Sequence, residues 1–199
     1  MGPTWEGPTC KGPTCKGPNL LGAKLYGAIL ARANLQRAIL GGADLEGVNL
    51  QGANLQGANL DGAILVGANL QGANLQGVHF TGEQLAQVHT LYLAKLTKAN
   101  LAGVDLRWAD LVGANLEGAD LRRGNLEGAN LARSILYKAN LEGAILQDAD
   151  LEKAILISAN LYGADLERAN LSRAKVDVTS LARAESLAGA TMPDGTKHD

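Results

Sequence analysis

Three stretches decide the fold of this chain: Ala53-Asn54-Leu55-Gln56-Gly57, Ala114-Asn115-Leu116-Glu117-Gly118 and Ala159-Asn160-Leu161-Tyr162-Gly163. Each is one unit of a five-residue repeat that fills nearly the whole chain. Around each leucine, which we call the centre, a small residue lies two positions earlier and an Asn or Asp one position earlier; a Gly often lies two positions later. Self-similarity at a fixed period indicates a repeat architecture.

The spacing within the repeat predicts its local structure. The small residue and the centre are two positions apart, so in extended backbone their side chains share one face and the Asn or Asp between them points away. A straight strand would reverse its apolar face after five residues, so the chain must turn once per repeat. Each pentapeptide is therefore a short strand followed by a corner. Successive coils then stack as parallel strands about 4.8 Å apart.

The residues at the corner vary along the chain. The position two after the centre holds Gly22 and Gly27 early in the sequence, but Arg133, Lys153 and Arg173 later. Long side chains rarely accept a positive φ. We therefore expect an ordinary negative φ at this corner, with glycine convenient there rather than required.

The A-N-L-x-G pattern resembles the pentapeptide-repeat family, many of whose members come from cyanobacteria. The resemblance implies an all-β solenoid: a right-handed quadrilateral β-helix with four pentapeptides in each coil. At about twenty residues a coil, the chain would make about eight coils.

The register of the repeat divides the chain into modules. Residues 1–80 form a first module, whose N-terminal coil is rich in proline, and residues 96–178 form a second module, one residue out of phase with the first. Proline blunts exposed strand edges. The N-terminal coil is therefore either a cap against stacking or a drift in composition. Its four in-frame units begin at Pro3, Pro8, Pro13 and Pro18.

Residues 81–95 interrupt the repeat. Thr81 and Gln84 have the spacing of a capping box, and the apolar residues that follow lie at helical spacing, which predicts a short helix near 82–92. The segment either protrudes from one continuous rod or hinges two rods. The prompt return of the register favours the continuous rod.

The C-terminal residues repeat this interruption. Leu85 and Leu91 match Leu181 and Leu187 at a constant offset of 96 residues. We therefore predict a second short helix near 179–189, within a C-terminal cap and tail that spans 179–199.

No catalytic, cofactor-binding or metal-binding residue is predicted. His79, His89 and His198 have no neighbours that complete a set of three or four metal ligands. Asp148 and Asp150 have the spacing of a catalytic carboxylate pair, but outward positions are polar in most repeats, which favours solvated faces. A phosphate-binding glycine loop is absent. We expect no enzymatic activity and no cofactor.

Cysteine content and hydropathy bound the location of the protein. Cys10 and Cys15 both fit the repeat, so a pair of buried thiols is expected, with a disulfide between them as the alternative. The first 17 residues have no apolar signal region. No apolar run approaches the roughly 20 residues of a membrane span. We expect a cytoplasmic protein without membrane contact.

Residues twenty apart should stack on successive coils. On the first module this predicts ladders of neutral amides, which either stabilise the rod or present a sparsely charged face to a partner. The predicted pairs are Gln51 with Gln71, Gln56 with Gln76, Asn54 with Asn74 and Asn49 with Asn69. Outward aromatic residues are candidate anchors for a partner: Tyr26, Trp108, Tyr137 and Tyr162.

The charge balance narrows the function. The net charge is −2, from 18 basic and 20 acidic residues, so direct nucleic-acid binding is not expected. We predict a non-catalytic scaffold that binds a protein, as a monomer or a weak end-to-end dimer. Some members of the family resemble duplex DNA and bind DNA gyrase, and a mimic that modulates this type II topoisomerase is the alternative. Mimicry needs a strongly acidic surface, so the charge of each face distinguishes the two.

Overall fold

A computed structural model of the chain describes residues 17–80, 84–85, 88 and 90–199. Turns and single-residue β-bridges alternate every five residues, and each bridge up to Thr191 is parallel and joins residues 20 or 21 positions apart. A coil therefore contains four turns, and the chain stacks on itself. One ladder is unbroken through eight positions: Asn34, Asn54, Asn74, Lys95, Asn115, Ile135, Ile155 and Lys175.

The repeat satisfies all five of its backbone N–H groups. In the unit 53–57, three N–H groups bond to the coils above and below: Asn54 to Ala33, Leu55 to Asn74 and Gly57 to Gln76. The Ala53 N–H closes the preceding turn on Leu50. The remaining N–H, of Gln56, donates to the side-chain oxygen of Asn54 at 3.2 Å. Buried backbone donors need partners, so Asn or Asp before the centre has a structural role.

The interior consists of stacked centres and small residues. From Leu35 to Leu171 the centre side chains are at most 2% exposed, including Phe80. Burying one such leucine contributes roughly 1.5–3 kcal/mol. The alanines two positions earlier are buried beside them, which lets opposite walls of the coil approach closely.

The backbone ladder continues across the interruption. Asn69 bridges to Thr90 and Asn74 to Lys95, so this coil contains 21 residues instead of 20. The Gln84 side-chain amide donates to the carbonyl oxygens of Leu60 at 2.7 Å and Ala63 at 3.1 Å, which ties the inserted segment to the coil before it. The bridges among the described residues thus cross the interruption, which favours a continuous rod over two hinged rods.

The helix predicted near 82–92 does not have that extent. Gln84 and Leu85 form a turn, and Thr90 already lies in the ladder. The predicted helix is wrong for residues 90–92. The hydrogen bonds between coils determine the backbone there, and the helical spacing of the apolar residues does not. Residues 81–83, 86, 87 and 89 lie outside the described residues, and Thr81 of the predicted capping box is among them.

Regular elements occur only near the C-terminal end of the described chain. Strand β1 (Ile155–Leu156) pairs in parallel with strand β2 (Lys175–Val176), and helix α1 spans Val178–Leu181. The prediction of a helix over 179–189 is therefore wrong in length. The ladder resumes at Glu185, whose N–H donates to the carbonyl oxygen of Ala164 on the previous coil. A helix through this residue would lose that hydrogen bond.

The tail folds back over the last coil as a hairpin. Thr191 forms an antiparallel bridge with Lys197, and the Met192 N–H donates to Thr196. An antiparallel strand covers an edge that would otherwise offer unpaired backbone groups. At the other end, the predicted cap residues Pro3, Pro8 and Pro13 and both cysteines, Cys10 and Cys15, lie outside the described residues.

Candidate interaction surface

The corner of the repeat has a left-handed residue, so the expectation of negative φ is wrong. Gly57 has φ 62°, and Arg133, Lys153 and Arg173 have φ 60°, 60° and 59°. A positive φ at the third residue of a turn but not at the second is typical of a type II turn. The turn and its coil contacts impose this conformation whatever the side chain. In non-glycine residues it costs about 1–2 kcal/mol each.

Side chains at the corners lean over the following coil. The ring of Trp108 lies where a Cβ atom on Gly128 would be, and the Leu93 side chain covers Gly113 in the same way. On the next coil, a Cβ atom on Gly52 would lie 3.6 Å from the Cγ atom of Arg32, and one on Gly118 would lie 3.6 Å from the Cγ atom of Lys98. Glycine at a corner therefore also makes room for the side chain from the previous coil.

Three of the four predicted amide pairs form hydrogen bonds. The Gln51 amide donates to Gln71 at 3.0 Å and the Gln56 amide to Gln76 at 3.1 Å. The Asn74 amide donates to Asn54 at 3.2 Å. The fourth pair, Asn49 and Asn69, is joined by a backbone bridge.

Charge is segregated around the coil. We define the basic side as the ladder from Asn34 to Lys175 with the corners on both of its edges. Over the described residues of 17–178 it carries nine cations and three carboxylates, a net charge of +6. The cations are Arg32, Arg37, Lys95, Lys98, Arg133, Lys138, Lys153, Arg173 and Lys175. The carboxylates are Glu117, Glu152 and Asp177.

The acidic side lies across the coil from it. We define it as the ladder that contains Lys24, Asp44, Asp105 and Asp165, with its two corners. Over the same described residues it carries nine carboxylates and five cations, a net charge of −4. The net charge of the whole chain conceals this division. The carboxylates are Asp44, Glu46, Asp61, Asp105, Glu127, Glu142, Asp148, Asp165 and Glu167. The cations are Lys24, Arg107, Arg122, Arg123 and Arg168.

Arginines on the acidic side are held in salt bridges. Arg107 lies 2.7 Å from Asp105, and Arg168 lies 2.7 Å from Asp148. Arg122 lies 2.6 Å from Asp120 on the adjoining ladder. Side-chain hydrogen bonds from these arginines lower the pKa of each of the three carboxyl groups. The acidic side thus neutralises part of its own charge.

The residues considered for chemistry do not converge. His79 lies 3.6 Å from Asp61, and His198 lies in the C-terminal tail. His89 lies outside the described residues. Asp148 is engaged by Arg168, while Asp150 accepts hydrogen bonds from the Asn170 amide and the Glu152 N–H. The described residues contain no group of three or more His, Cys, Asp or Glu side chains that could hold a metal ion.

The outward aromatic residues are placed on different corners. Tyr26 and Trp108 are each 70% exposed and share a corner, but they lie four coils apart. Tyr162 is 63% exposed at another corner. Tyr137 is half-buried, with the Lys138 ammonium 5.0 Å from its ring centre. The four do not form one anchor site.

One concave region lies beside the C-terminal hairpin. It is an open groove of about 520 Å³ whose lining mixes both signs of charge. Its lining residues are Glu152, Asn170, Ser172, Arg173, Pro193, Asp194 and Gly195.

Nowhere in the described part of the chain is there a helix of the length and hydropathy needed to cross a membrane.

Two features of the basic side were missed by sequence reasoning. Ile135 and Ile155 replace the usual Asn before the centre and bridge directly to each other. Ser134 replaces the usual alanine, is fully buried, and its hydroxyl has no hydrogen-bond partner among the described residues. The isoleucine pair is visible in the sequence, because Ile135 and Ile155 both depart from the repeat and lie twenty residues, or one coil, apart.

Comparisons with known proteins agree with the repeat. The model of the family "Pentapeptide repeats" matches residues 14–47, 43–82, 99–137 and 134–173. No curated protein sequence matches the chain. Among solved structures, the chain is similar to HetL, a pentapeptide repeat protein involved in heterocyst differentiation regulation from the cyanobacterium Nostoc sp. strain PCC 7120. The two are 32% identical over 92% of each chain, with a TM-score of 0.37.

Two further structures extend the comparison. A trypsin-treated form of QnrB1, a plasmid-mediated fluoroquinolone resistance protein, is 16% identical over 90% of this chain and 85% of its own, with a TM-score of 0.46. Rfr23 from the cyanobacterium Cyanothece 51142 is 29% identical over 80% and 91%, with a TM-score of 0.20. The repeat, its ladder and the family match together show that the chain belongs to the pentapeptide-repeat family.

Proposed function

We propose that this chain is a non-catalytic, protein-binding rod, with the right-handed quadrilateral coil that its family resemblance implies. The observation that carries the proposal is the division of charge between the basic side and the acidic side, which lie opposite each other on a regular coil. A rigid element with a basic and an acidic side presents different surfaces to different partners, and complementary charge guides the encounter. Association through the sides is favoured over the C-terminal end, because the hairpin covers the last coil there.

Site-specific photo-crosslinking tests this proposal. A benzophenone amino acid is placed at one exposed position on each corner: Tyr162, Tyr26, Arg32 and Lys138. In a lysate of the source organism, we expect a discrete crosslinked protein from one corner or two adjacent corners, and none from the opposite corner. Uniform weak labelling from all four corners would contradict a protein-binding side.

Mimicry of DNA by the acidic side is the second candidate, because nine carboxylates lie on that side. Duplex DNA carries one charge per roughly 1.7 Å, hence about 22 charges over a rod of eight coils about 38 Å long. Nine carboxylates offset by five cations fall well below that density. We therefore expect no inhibition when the protein is titrated into a DNA gyrase supercoiling assay. Inhibition at low micromolar concentration would make mimicry the better explanation.

A further inference from the structure

On the basic side, cations replace glycine at one corner on three consecutive coils. The column of this corner contains Gly52, Gly72 and Gly113, but continues with Arg133, Lys153 and Arg173, all at φ near 60°. Glycine accepts this conformation without steric cost, whereas arginine and lysine do not. Backbone strain of this kind is concentrated at functional sites. Left-handed residues occur at other corners too, but this column has three left-handed cations in succession.

The ladder beside this corner also departs from the repeat. Ile135 and Ile155 replace the Asn or Asp that in most repeats accepts the N–H two residues later. The two isoleucines are half-buried, and theirs is the one bridge between two isoleucines among the described residues. An apolar strip therefore lies along the cations, where a structural hydrogen bond has been given up on two coils.

Cations outnumber carboxylates at this corner, where Glu152 has its pKa lowered by Lys153 first and to a smaller extent by Arg173 and Arg133. Arg133, Arg173 and Lys175 form no salt bridge with any described residue. Lys153 pairs with Glu152 at 2.6 Å. By contrast, Arg107, Arg122 and Arg168 across the coil are paired with carboxylates. The strip thus has cations available for a partner, whereas most of those on the acidic side are engaged.

We propose that this basic strip, made of Ile135, Ile155, Arg133, Lys153, Arg173 and Lys175, binds an acidic protein segment with apolar side chains between its carboxylates. An apolar centre with a charged rim is the usual anatomy of a protein interface. Single-stranded nucleic acid is held by stacking on aromatic rings, and the ring of Tyr137, two residues after Ile135, already has the Lys138 ammonium 5.0 Å from its centre. This inference deepens the proposed function and rests on it.

The binding test uses the full chain and a defined probe. The probe is a fluorescein-labelled ten-residue peptide that alternates Glu and Leu, and binding is followed by anisotropy at low salt. A peptide that alternates Glu and Ser has the same charge without apolar side chains, and a single-stranded DNA of similar length tests nucleic acid. We expect a Kd of about 10 µM for the Glu–Leu peptide and roughly tenfold weaker binding of the other two.

Variants that restore the repeat identify the surface. The triple variant Arg133→Gly, Lys153→Gly, Arg173→Gly and the double variant Ile135→Asn, Ile155→Asn should each weaken binding of the peptide about tenfold. Both return the chain to its own consensus, so their melting temperatures should not fall and lost binding would not reflect unfolding. The matched control, Arg123→Gly with Arg168→Gly, removes two cations from left-handed corners across the coil and should leave binding unchanged.

Three outcomes would overturn the inference: no binding of the Glu–Leu peptide, DNA binding at least as tight as the peptide, or an equal loss in the control variant. Failure here is distinguishable from failure of the proposed function. A partner that crosslinks at another corner while the peptide does not bind would leave the protein-binding rod in place and remove only the basic strip.

Discussion

Residues 17–80 and residues 90–178 have the same backbone ladder and different outer surfaces. Of the thirteen non-glycine residues with positive φ, only Arg32 and Arg37 lie in the first region, and eleven lie in the second. The first region carries hydrogen-bonded glutamine ladders, and the second carries salt bridges and the basic strip. The interior of alanine and leucine is common to both. The comparison shows that the interior and the ladder determine the fold, while the outer positions are open to specialisation.

The difference also has an energetic meaning. The first region has glycine at most of its left-handed corner positions and neutral amides that bond to the next coil. The second region accepts most of the left-handed arginine and lysine and one buried hydroxyl without a partner, whereas isoleucine before the centre occurs three times in each region. Each departure opposes stability, so we expect the second region to be the less stable of the two per coil.

The largest effect should come from the interior, and it should be equal in the two regions. Leu55→Ala and Leu116→Ala each remove a fully buried centre and should lower the free energy of unfolding by about 3 kcal/mol. Guanidinium denaturation followed by circular dichroism measures both. A difference of more than about 1 kcal/mol between the two variants would show that the interiors are not equivalent.

Ser134 should give the next largest effect, because it is specific to the second region. Ser134→Ala removes a buried hydroxyl that lacks a partner and should raise the free energy of unfolding by about 1–2 kcal/mol. The matched controls are Ala114→Ser and Ala154→Ser, in the same inner column, which should lower it by a similar amount. If Ser134→Ala is destabilising, the hydroxyl has a favourable contact and the second region is not strained at this position.

The repeat itself could be predicted from the sequence, but its corner could not. A five-residue period with small and large apolar residues two apart leaves one arrangement of strand and turn. The negative φ assigned to Arg133 and Lys153 was wrong, because residue preference was weighed alone and the ladder bonds on either side of the corner override it. The predicted helices failed in extent for the same reason: Thr90 and Glu185 find ladder partners that a helix would deny them.

The interaction surface was less accessible to sequence reasoning. A net charge of −2 gave no sign of two oppositely charged sides, because charge by side depends on which corner each residue occupies. The twenty-residue coil supplies that assignment for single pairs such as Gln56 with Gln76, whereas the charge of a side is a sum over a ladder and two corners on every coil. The lack of a partner for the Ser134 hydroxyl requires coordinates, since hydroxyl bonding depends on the neighbouring coils.

The corners provide an intermediate effect of opposite sign in the two regions. Arg133→Gly relieves about 1–2 kcal/mol of left-handed strain and adds about 0.5–1 kcal/mol of backbone entropy to the unfolded chain. The net expectation is about 0.5–1 kcal/mol of added stability. Gly72→Arg, in the same corner column of the first region, should be destabilising by a similar amount. Thermal denaturation of the two variants measures both signs. Two changes in the same direction would contradict the strain argument.

The smallest effect should come from the surface salt bridges, which are characteristic of the second region. The hydrogen bond from Arg122 lowers the pKa of Asp120. A carboxyl group with a lowered folded pKa stabilises the fold above its unfolded pKa, about 3.9, and loses that contribution as the pH falls through the folded pKa. Because the pair is exposed, Asp120→Asn should cost only a few tenths of a kcal/mol near neutral pH.

Acid denaturation measures the contribution of the Asp120–Arg122 salt bridge separately from the other contributions to stability. Between about pH 4 and pH 2 the parent chain should lose more stability than Asp120→Asn, whose amide oxygen can still accept the Arg122 N–H. Arg122→Gln should flatten the pH dependence in part, because it removes the cation but keeps the backbone N–H of residue 122, which also donates to Asp120 and lowers its pKa. The double variant should add nothing to the change made by Asp120→Asn. If Arg122→Gln leaves the pH dependence of the parent chain unchanged, Asp120 is stabilised by its turn hydrogen bond and not by the arginine, and the salt bridges contribute nothing to the contrast between the two regions.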